Sequence, residues 1–128
     1  MRIIFDATVM EHRFTGIAKS ALGLYEASLR IMPSLEITGV HRKSLAAGLQ
    51  QEIGSLQIGK RFPAKLWRSV VLPAHISANR QSVVHFPWNG NVPSLVCANL
   101  VVSTIHDVLP LIIPGFFKSR HAQLFYRR

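Results

Sequence analysis

The fold of this chain can be predicted from ten consecutive residues, Val101-Val102-Ser103-Thr104-Ile105-His106-Asp107-Val108-Leu109-Pro110. The run is short and begins with β-branched residues, which is typical of a buried strand, and Pro110 ends it. In open α/β sheets the carboxyl ends of the strands border the ligand crevice. We therefore expect His106 and Asp107 to lie at a functional site.

The rest of the chain predicts strands and helices in alternation. A buried strand is expected over 2–8, and a helix follows from Ile17 until Pro33 ends it. Further predicted elements are strands over 36–40 and 82–87, a helix over 62–78 that Pro73 ends or kinks, and a helix over 118–128, whereas 44–59 fits no single form. This order predicts the α/β class, with a Rossmann-like parallel sheet and flanking helices.

Composition limits the partners and the compartment. The chain has 128 residues, which suits one domain, and 15 Lys and Arg against 6 Asp and Glu give a net charge of +9. Such a surface attracts phosphates, nucleic acid or an anionic membrane, and the basic residues concentrate between 42 and 80. One cysteine excludes an internal disulfide framework, and no apolar run reaches the roughly 20 residues of a membrane span. We expect a cytoplasmic protein, with contact to the inner face of the membrane left open.

Three predicted loops, over 10–16, 85–91 and 106–110, should meet at one edge of the sheet. Gly16 allows close approach of a ligand, and the helix start beside it, with Lys19, suits a phosphate or carboxylate. His106 can donate or accept a proton near neutrality. The alternatives are plain loop geometry at Gly16, a backbone bond at His106 and a turn cap at Asp107. No histidine spacing favours a metal site, and no G-x-S-x-G motif favours a serine triad.

Four segments carry a family resemblance. The first two are Met1-Arg2-Ile3-Ile4-Phe5-Asp6-Ala7, an opening strand, and Phe14-Thr15-Gly16-Ile17-Ala18-Lys19, similar to a T-G-I-[AG]-[RK] loop. The others are Val83-Val84-His85-Phe86-Pro87, similar to D-[VI]-x-H-x-P without its aspartate, and Val102-Ser103-Thr104-Ile105-His106-Asp107-Val108-Leu109-Pro110-Leu111, similar to T-[IV]-H-D-[LI]-x-P-L, with Pro114 and Tyr126 beyond it. Together they resemble the amino-terminal domain of GT-B fold glycosyltransferases of the bacterial group-1 family, which includes O-antigen and capsule mannosyltransferases.

The resemblance implies transfer of a sugar, with retention of configuration, from a nucleotide-sugar donor to a lipid-linked or polysaccharide acceptor in cell-surface polysaccharide synthesis. No metal or other cofactor is implied, and the reaction would take place in a cleft between two Rossmann-like halves. The implied site residues are His106 and Asp107 for catalysis, Thr15, Gly16 and Lys19 for the donor phosphate or sugar, and His85, Trp88 and Asn89 for the acceptor.

One departure from the family concerns its second half, which carries two glutamates eight positions apart. The four glutamates here, at 11, 26, 36 and 52, include no such pair. The expectation is a single acceptor-side domain over 1–128, an incomplete GT-B half that lacks the donor-binding domain, is inactive alone, and is either truncated or works with a separate donor-binding chain. Two other functions stay open: a small basic nucleic-acid-binding protein, because Trp67 and Trp88 lie near basic residues, and a peripheral membrane adaptor without transfer chemistry.

Overall fold

The computed structural model describes residues 1–11, 15–46, 52–88, 92–93, 96–98, 100–106 and 113. In this part of the chain, five strands form one sheet in the order β3-β2-β1-β4-β5, and every pairing is parallel. The strands are β1 (Arg2–Asp6), β2 (Glu36–His41), β3 (Ile53–Gln57), β4 (Val83–Phe86) and β5 (Leu100–Ser103). The predicted α/β class and Rossmann-like parallel sheet are confirmed.

Helices cover both faces of the sheet. Helix α1 (Gly16–Ile31) joins β1 to β2 and covers one face, and a helical segment over 64–78 between β3 and β4 covers the other. Because side chains alternate along a strand, Phe5 packs with Tyr25 of α1 while Ile4 packs with Leu72 of the second segment. Among the described residues, no helix has the length and apolar character needed to cross a bilayer.

The segment over 64–78 contains a widened turn in front of Pro73. It consists of α2 (Ala64–Leu66), a π-helical turn (Trp67–Val71) and α3 (Leu72–Ala78). The Leu72 amide donates to the Trp67 carbonyl, five residues back. Proline has no amide hydrogen, and its ring clashes with the carbonyl four residues earlier, so a looser turn relieves the conflict. The helix therefore continues past Pro73 instead of ending there.

The first strand is shorter than predicted, and α1 begins one residue earlier than predicted. The strand ends at Asp6, because the Asp6 carboxylate accepts hydrogen bonds from the Thr8 amide at 3.0 Å and the Thr8 hydroxyl at 2.6 Å. These bonds turn the chain into a 3-10 turn (Ala7–Met10). Helix α1 begins at Gly16 rather than Ile17, and it ends at Ile31, two residues before Pro33.

The basic middle of the chain contains a strand that sequence reasoning left unassigned. β3 lies within 44–59, and its Ile53 is buried and pairs with Ile37 of β2. A strand is therefore the form of part of 44–59, for which the sequence indicated no single form. Glycine inside a strand usually weakens it, yet in β2 the ring of Phe5 packs where a side chain of Gly39 would be. The predicted helix over 118–128, and the family matches at Pro114 and Tyr126, lie outside the described residues.

Candidate functional site

A cavity opens at the carboxyl edge of the sheet, where the strand order reverses. The chain runs outward from β1 to β3 on one side and then returns to place β4 on the other side of β1. Loops that leave β1 and β4 in opposite directions create a crevice, which is where α/β proteins of this kind bind ligands. The cavity here has a volume of about 490 Å³ and is lined by Thr8, Val9, Glu11, Thr15, Ile17, Arg42, Ala64, Trp67, Arg68 and Trp88.

The end of β1 fixes one wall of this cavity. Asp6 is buried, and its carboxylate holds both the amide and the hydroxyl of Thr8. The Arg68 guanidinium reaches the same hydroxyl, with Nη2 3.4 Å from Thr8 Oγ1. Burial raises the pKa of Asp6, although the Thr8 hydrogen bonds and the charge of Arg68 oppose the rise. Arg68 is therefore tied to the turn after β1.

Glu11 fixes the end of β2 on the other side. Its Oε1 accepts hydrogen bonds from the Arg42 amide at 2.6 Å and the Lys43 amide at 2.9 Å. The Arg42 side chain donates from Nη1 to the Phe62 carbonyl at 3.3 Å. Both Glu11 and Arg42 are partly buried and line the cavity. The site thus contains the guanidinium groups of Arg42 and Arg68, and the carboxylate of Glu11, which already accepts hydrogen bonds from two backbone amides.

The proposed donor-side residues lie at the start of α1. Thr15 lines the cavity and caps the helix, its Oγ1 accepting from the Ala18 amide at 3.3 Å. Gly16 opens the helix, and a Cβ there would meet no atom within 4 Å. Among the described glycines only Gly59 has a positive φ, so neither backbone strain nor packing requires glycine at 16. Lys19 is exposed on the first turn and does not line the cavity.

His85 lies inside the protein and not on the cavity wall. Its Nδ1 shares a hydrogen bond of 2.7 Å with the Tyr25 hydroxyl, and its Nε2 shares one of 2.7 Å with Thr104 Oγ1. Burial lowers the pKa of His85, and the neighbouring His106 adds to this effect. With both ring nitrogens engaged, His85 joins α1, β4 and the end of β5, and a direct ligand contact would break one of these bonds.

The other predicted residues lie nearer the surface. Trp88 lines the cavity and is 41% exposed. His106 is exposed, and its Nε2 donates to the Pro87 carbonyl at 2.9 Å, the backbone bond that was its alternative interpretation. β5 ends at Ser103, so His106 follows the strand by three residues. Asn89 and Asp107 lie outside the described residues.

The structure places predicted donor-side, acceptor-side and catalytic residues at one edge of the sheet. Thr15 and Trp88 line the same cavity, and His106 bonds to Pro87, the residue before Trp88. The cause is the parallel sheet, in which the loops after β1, β4 and β5 all leave from the carboxyl edge. Within the described ranges, no three His, Cys, Asp or Glu side chains form a group able to hold a metal ion.

Sequence reasoning did not assign Glu11, Arg42, Trp67 or Arg68 to the site. The first two could have been found, because Glu11 lies in the loop after β1 and Arg42 directly follows β2 at the same edge. Trp67 and Arg68 lie in the segment between β3 and β4. Helical periodicity shows that this segment packs on the sheet, but not which of its turns reaches the carboxyl edge.

Comparisons of this chain with protein-family models, with curated proteins and with solved structures found no match.

Proposed function

We propose that this chain is the acceptor-side, amino-terminal half of a GT-B fold glycosyltransferase of the group-1 type. It would transfer a sugar from a nucleotide-sugar donor to a lipid-linked or polysaccharide acceptor at the cytoplasmic face of a membrane. One observation carries the proposal: the cavity at the strand-order reversal is lined by Thr15 and Trp88, and His106 lies on the same edge. Thr15 and His106 belong to two separate segments of the family resemblance, and Trp88 directly follows a third.

The start of α1 suits the leaving group of such a reaction. A departing nucleoside diphosphate gains negative charge, and helix amides with a nearby cation stabilise that charge without a metal. Thr15 uses its hydroxyl to cap the helix, so the open backbone at Gly16 and the exposed ammonium of Lys19 are the groups that would face the donor.

The end of β5 suits the transferred sugar. The exposed His106 ring carries an Nε2–H donor, now bound to a backbone carbonyl, that can turn to a sugar hydroxyl. Asp107 follows it and is proposed to act on the acceptor side. Trp88 and Asn89 are proposed to contact the acceptor, whereas His85 would act by holding Thr104 in place.

The proposal includes a separate source for the donor-binding half. None of the four glutamates in this chain forms the family pair that holds the donor. A continuation of the chain or a second polypeptide would supply that half, and the net charge of +9 favours assembly beside an anionic membrane.

The test is a transfer assay on the purified chain, alone and together with the protein encoded directly downstream. Labelled nucleotide sugars are supplied with membrane extract, and lipid-soluble label is measured. We expect transfer only with both proteins present, lowered about 10²-fold by His106→Ala and unchanged by Arg80→Ala at the opposite edge. Absence of transfer from every donor, combined with tight, strongly salt-dependent binding of single-stranded oligonucleotides, would overturn the proposal in favour of nucleic-acid binding.

A further inference from the structure

We propose that two copies of this chain pair along their β5 strands, antiparallel about a two-fold axis, and so join their two sheets into one. The proposal goes beyond the proposed function and does not depend on it. It rests on three observations: the exposure of β5, the lack of charged residues in the sequence that forms this end of the sheet, and the ability of the β5 side chains to face their own copies.

β5 is the last strand of the described sheet, where it pairs with β4 alone. All four of its residues are exposed, and among them Leu100 is 54%, Val101 38% and Val102 41% exposed. Because side chains alternate along a strand, Leu100 and Val102 share one face of the sheet and Val101 lies on the other. Parallel strands are normally covered on both faces, whereas β5 presents apolar side chains on two faces and the backbone of an edge strand.

The other edge strand of the described sheet, β3, offers much less to a partner. Its exposed residues are Gly54, Ser55, Leu56 and Gln57, of which only Leu56 is a large apolar residue. The sequence of β5 is Leu-Val-Val-Ser, which contains neither a proline nor a charged residue. Proline and charged side chains are the usual means by which natural proteins keep an edge strand from pairing with another chain. Of the two edges, β5 is therefore the one suited to pairing.

The charge distribution identifies a second copy as the partner. Residues 81–106, which include β4 and β5, contain no Asp, Glu, Lys or Arg, so the net charge of +9 belongs to other parts of the chain. Two molecules of this charge repel each other where their basic surfaces meet, whereas they can approach along a neutral apolar edge. A nucleic acid or an anionic membrane finds no cation on β5, and such a partner would bind the basic region over 42–80 instead.

The side chains of β5 are complementary to themselves. A two-fold axis through the pair at Val101 places Val101 opposite its own copy on one face of the joined sheet and Leu100 opposite Val102 on the other. Such aliphatic cross-strand pairs stabilise antiparallel strands. The strand has four residues and makes a small interface, so we expect a dissociation constant on the order of 10 μM. Because the strands run antiparallel, the two candidate cavities would lie at opposite edges of the joined sheet.

Sedimentation equilibrium of the purified chain measures the association. We expect a monomer–dimer equilibrium in the parent and a dissociation constant at least about tenfold higher in Val101→Lys, because two ammonium groups would then face each other. Leu56→Lys on β3 is the matched control: it adds the same charge at a residue of similar exposure, 37%, and should leave the dimer unchanged. A parent that is monomeric at every concentration, or equal weakening by both variants, would overturn the proposal.

A charge-pair rescue guards against variants that merely unfold. Val101→Lys and Val101→Glu should each be largely monomeric alone, and a mixture of the two should form a heterodimer, because opposite charges then face each other across the axis. Misfolded chains would not regain association on mixing. A mixture that stays monomeric, with urea midpoints like that of the parent in both variants, would contradict the pairing at Val101.

Covalent trapping tests the register. In a Cys97→Ser background, Val101→Cys should form an intermolecular disulfide on mild oxidation, because opposed residues of antiparallel strands have Cα atoms about 4.5–5.5 Å apart. Leu56→Cys in the same background should stay reduced. A disulfide at position 56 in place of 101 would assign the interface to β3 and overturn the proposal.

Other occupants of β5 have outcomes of their own. Slow thiol labelling of Val101→Cys in a chain that sediments as a monomer would mean that another part of the same chain covers β5, which overturns the proposal. Binding of the protein encoded directly downstream, blocked by Val101→Lys in a chain that does not self-associate, would overturn it in favour of a second polypeptide.

Discussion

Replacing Gly39 by alanine should destabilise the protein, although the same change usually stabilises a helix. The added Cβ would lie 2.6 Å from Phe5 Cζ and 3.1 Å from Ala7 Cβ, well inside ordinary carbon contacts of about 3.5–4.0 Å. The Phe5 ring is fully buried, and the Tyr25 ring lies 4.2 Å from it between centroids. Overpacking of this kind costs about 1–3 kcal/mol, and the lower entropy of the unfolded chain offsets about 0.4–1 kcal/mol. We expect a net loss of about 1–2 kcal/mol.

Urea unfolding followed by tryptophan emission measures this loss as a lower midpoint with an unchanged slope. Gly23→Ala is the matched control, because Gly23 lies exposed inside α1 with no atom near a new Cβ, and it should gain about 0.5–1 kcal/mol. Adding Phe5→Leu should reduce the cost of Gly39→Ala, since the shorter side chain vacates the contact. A Gly39→Ala variant as stable as the parent would refute the described packing of Phe5 against β2.

Three further outcomes are expected. His106→Ala should lower transfer in the assembled enzyme by about 10²-fold with an unchanged urea midpoint, and normal turnover would remove His106 from the site. Burial lowers the pKa of both His85 and His75, so the unfolded chain binds protons more readily than the folded protein. The free energy of unfolding should therefore be highest above the ordinary histidine pKa of about 6.5 and should fall as the pH decreases below it. The fall should be smaller in His85→Gln. Gly59→Ala should lower the free energy of unfolding in urea by about 2–3 kcal/mol, because the φ of Gly59 is +60° and the new Cβ would lie 2.9 Å from Trp67. A smaller loss than that of Gly39→Ala would count against this backbone conformation.

Strands β1 and β4 could be predicted from the sequence because most of their residues are buried and the strands therefore read as short apolar runs. The prediction of a buried strand at 101–110 was wrong in one respect, because all four residues of β5 are exposed. The runs at Ile3 and Val83 predicted β1 and β4 to within two residues at each end. β3 was not predicted, because only Ile53 of its five residues is buried. Its sequence therefore shows neither an apolar run nor an alternation of apolar and polar residues. The sequence does not show why β2 contains glycine at position 39, and the packing of the Phe5 ring against Gly39 explains it.

The sequence predicted where the candidate site lies, but only some of the residues that form it. The rule that ligands bind at the carboxyl edge of parallel strands led to Trp88 and His106, whereas Thr15 was implied by the family resemblance. It could not separate the buried His85 from the exposed His106, because both follow short apolar runs in the sequence, whereas in the structure His85 lies within β4 and His106 lies three residues beyond β5. Whether Arg68 faces the cavity depends on the rotation of its helix about the helix axis, and the widened turn before Pro73 changes that rotation.

The strand order has a consequence for synthesis of the chain on the ribosome. β1 is the central strand and is made first, yet Ile3 pairs with Val83, which lies 80 positions later. At a synthesis rate of roughly 5–20 residues per second, one edge of β1 stays unpaired for about 4–16 seconds until β4 has been made. During that interval β1, β2 and α1 can assemble, while the apolar residues facing the later helices stay uncovered. The nascent protein is therefore most vulnerable to aggregation before β4 emerges, and chaperone dependence should be concentrated in that period.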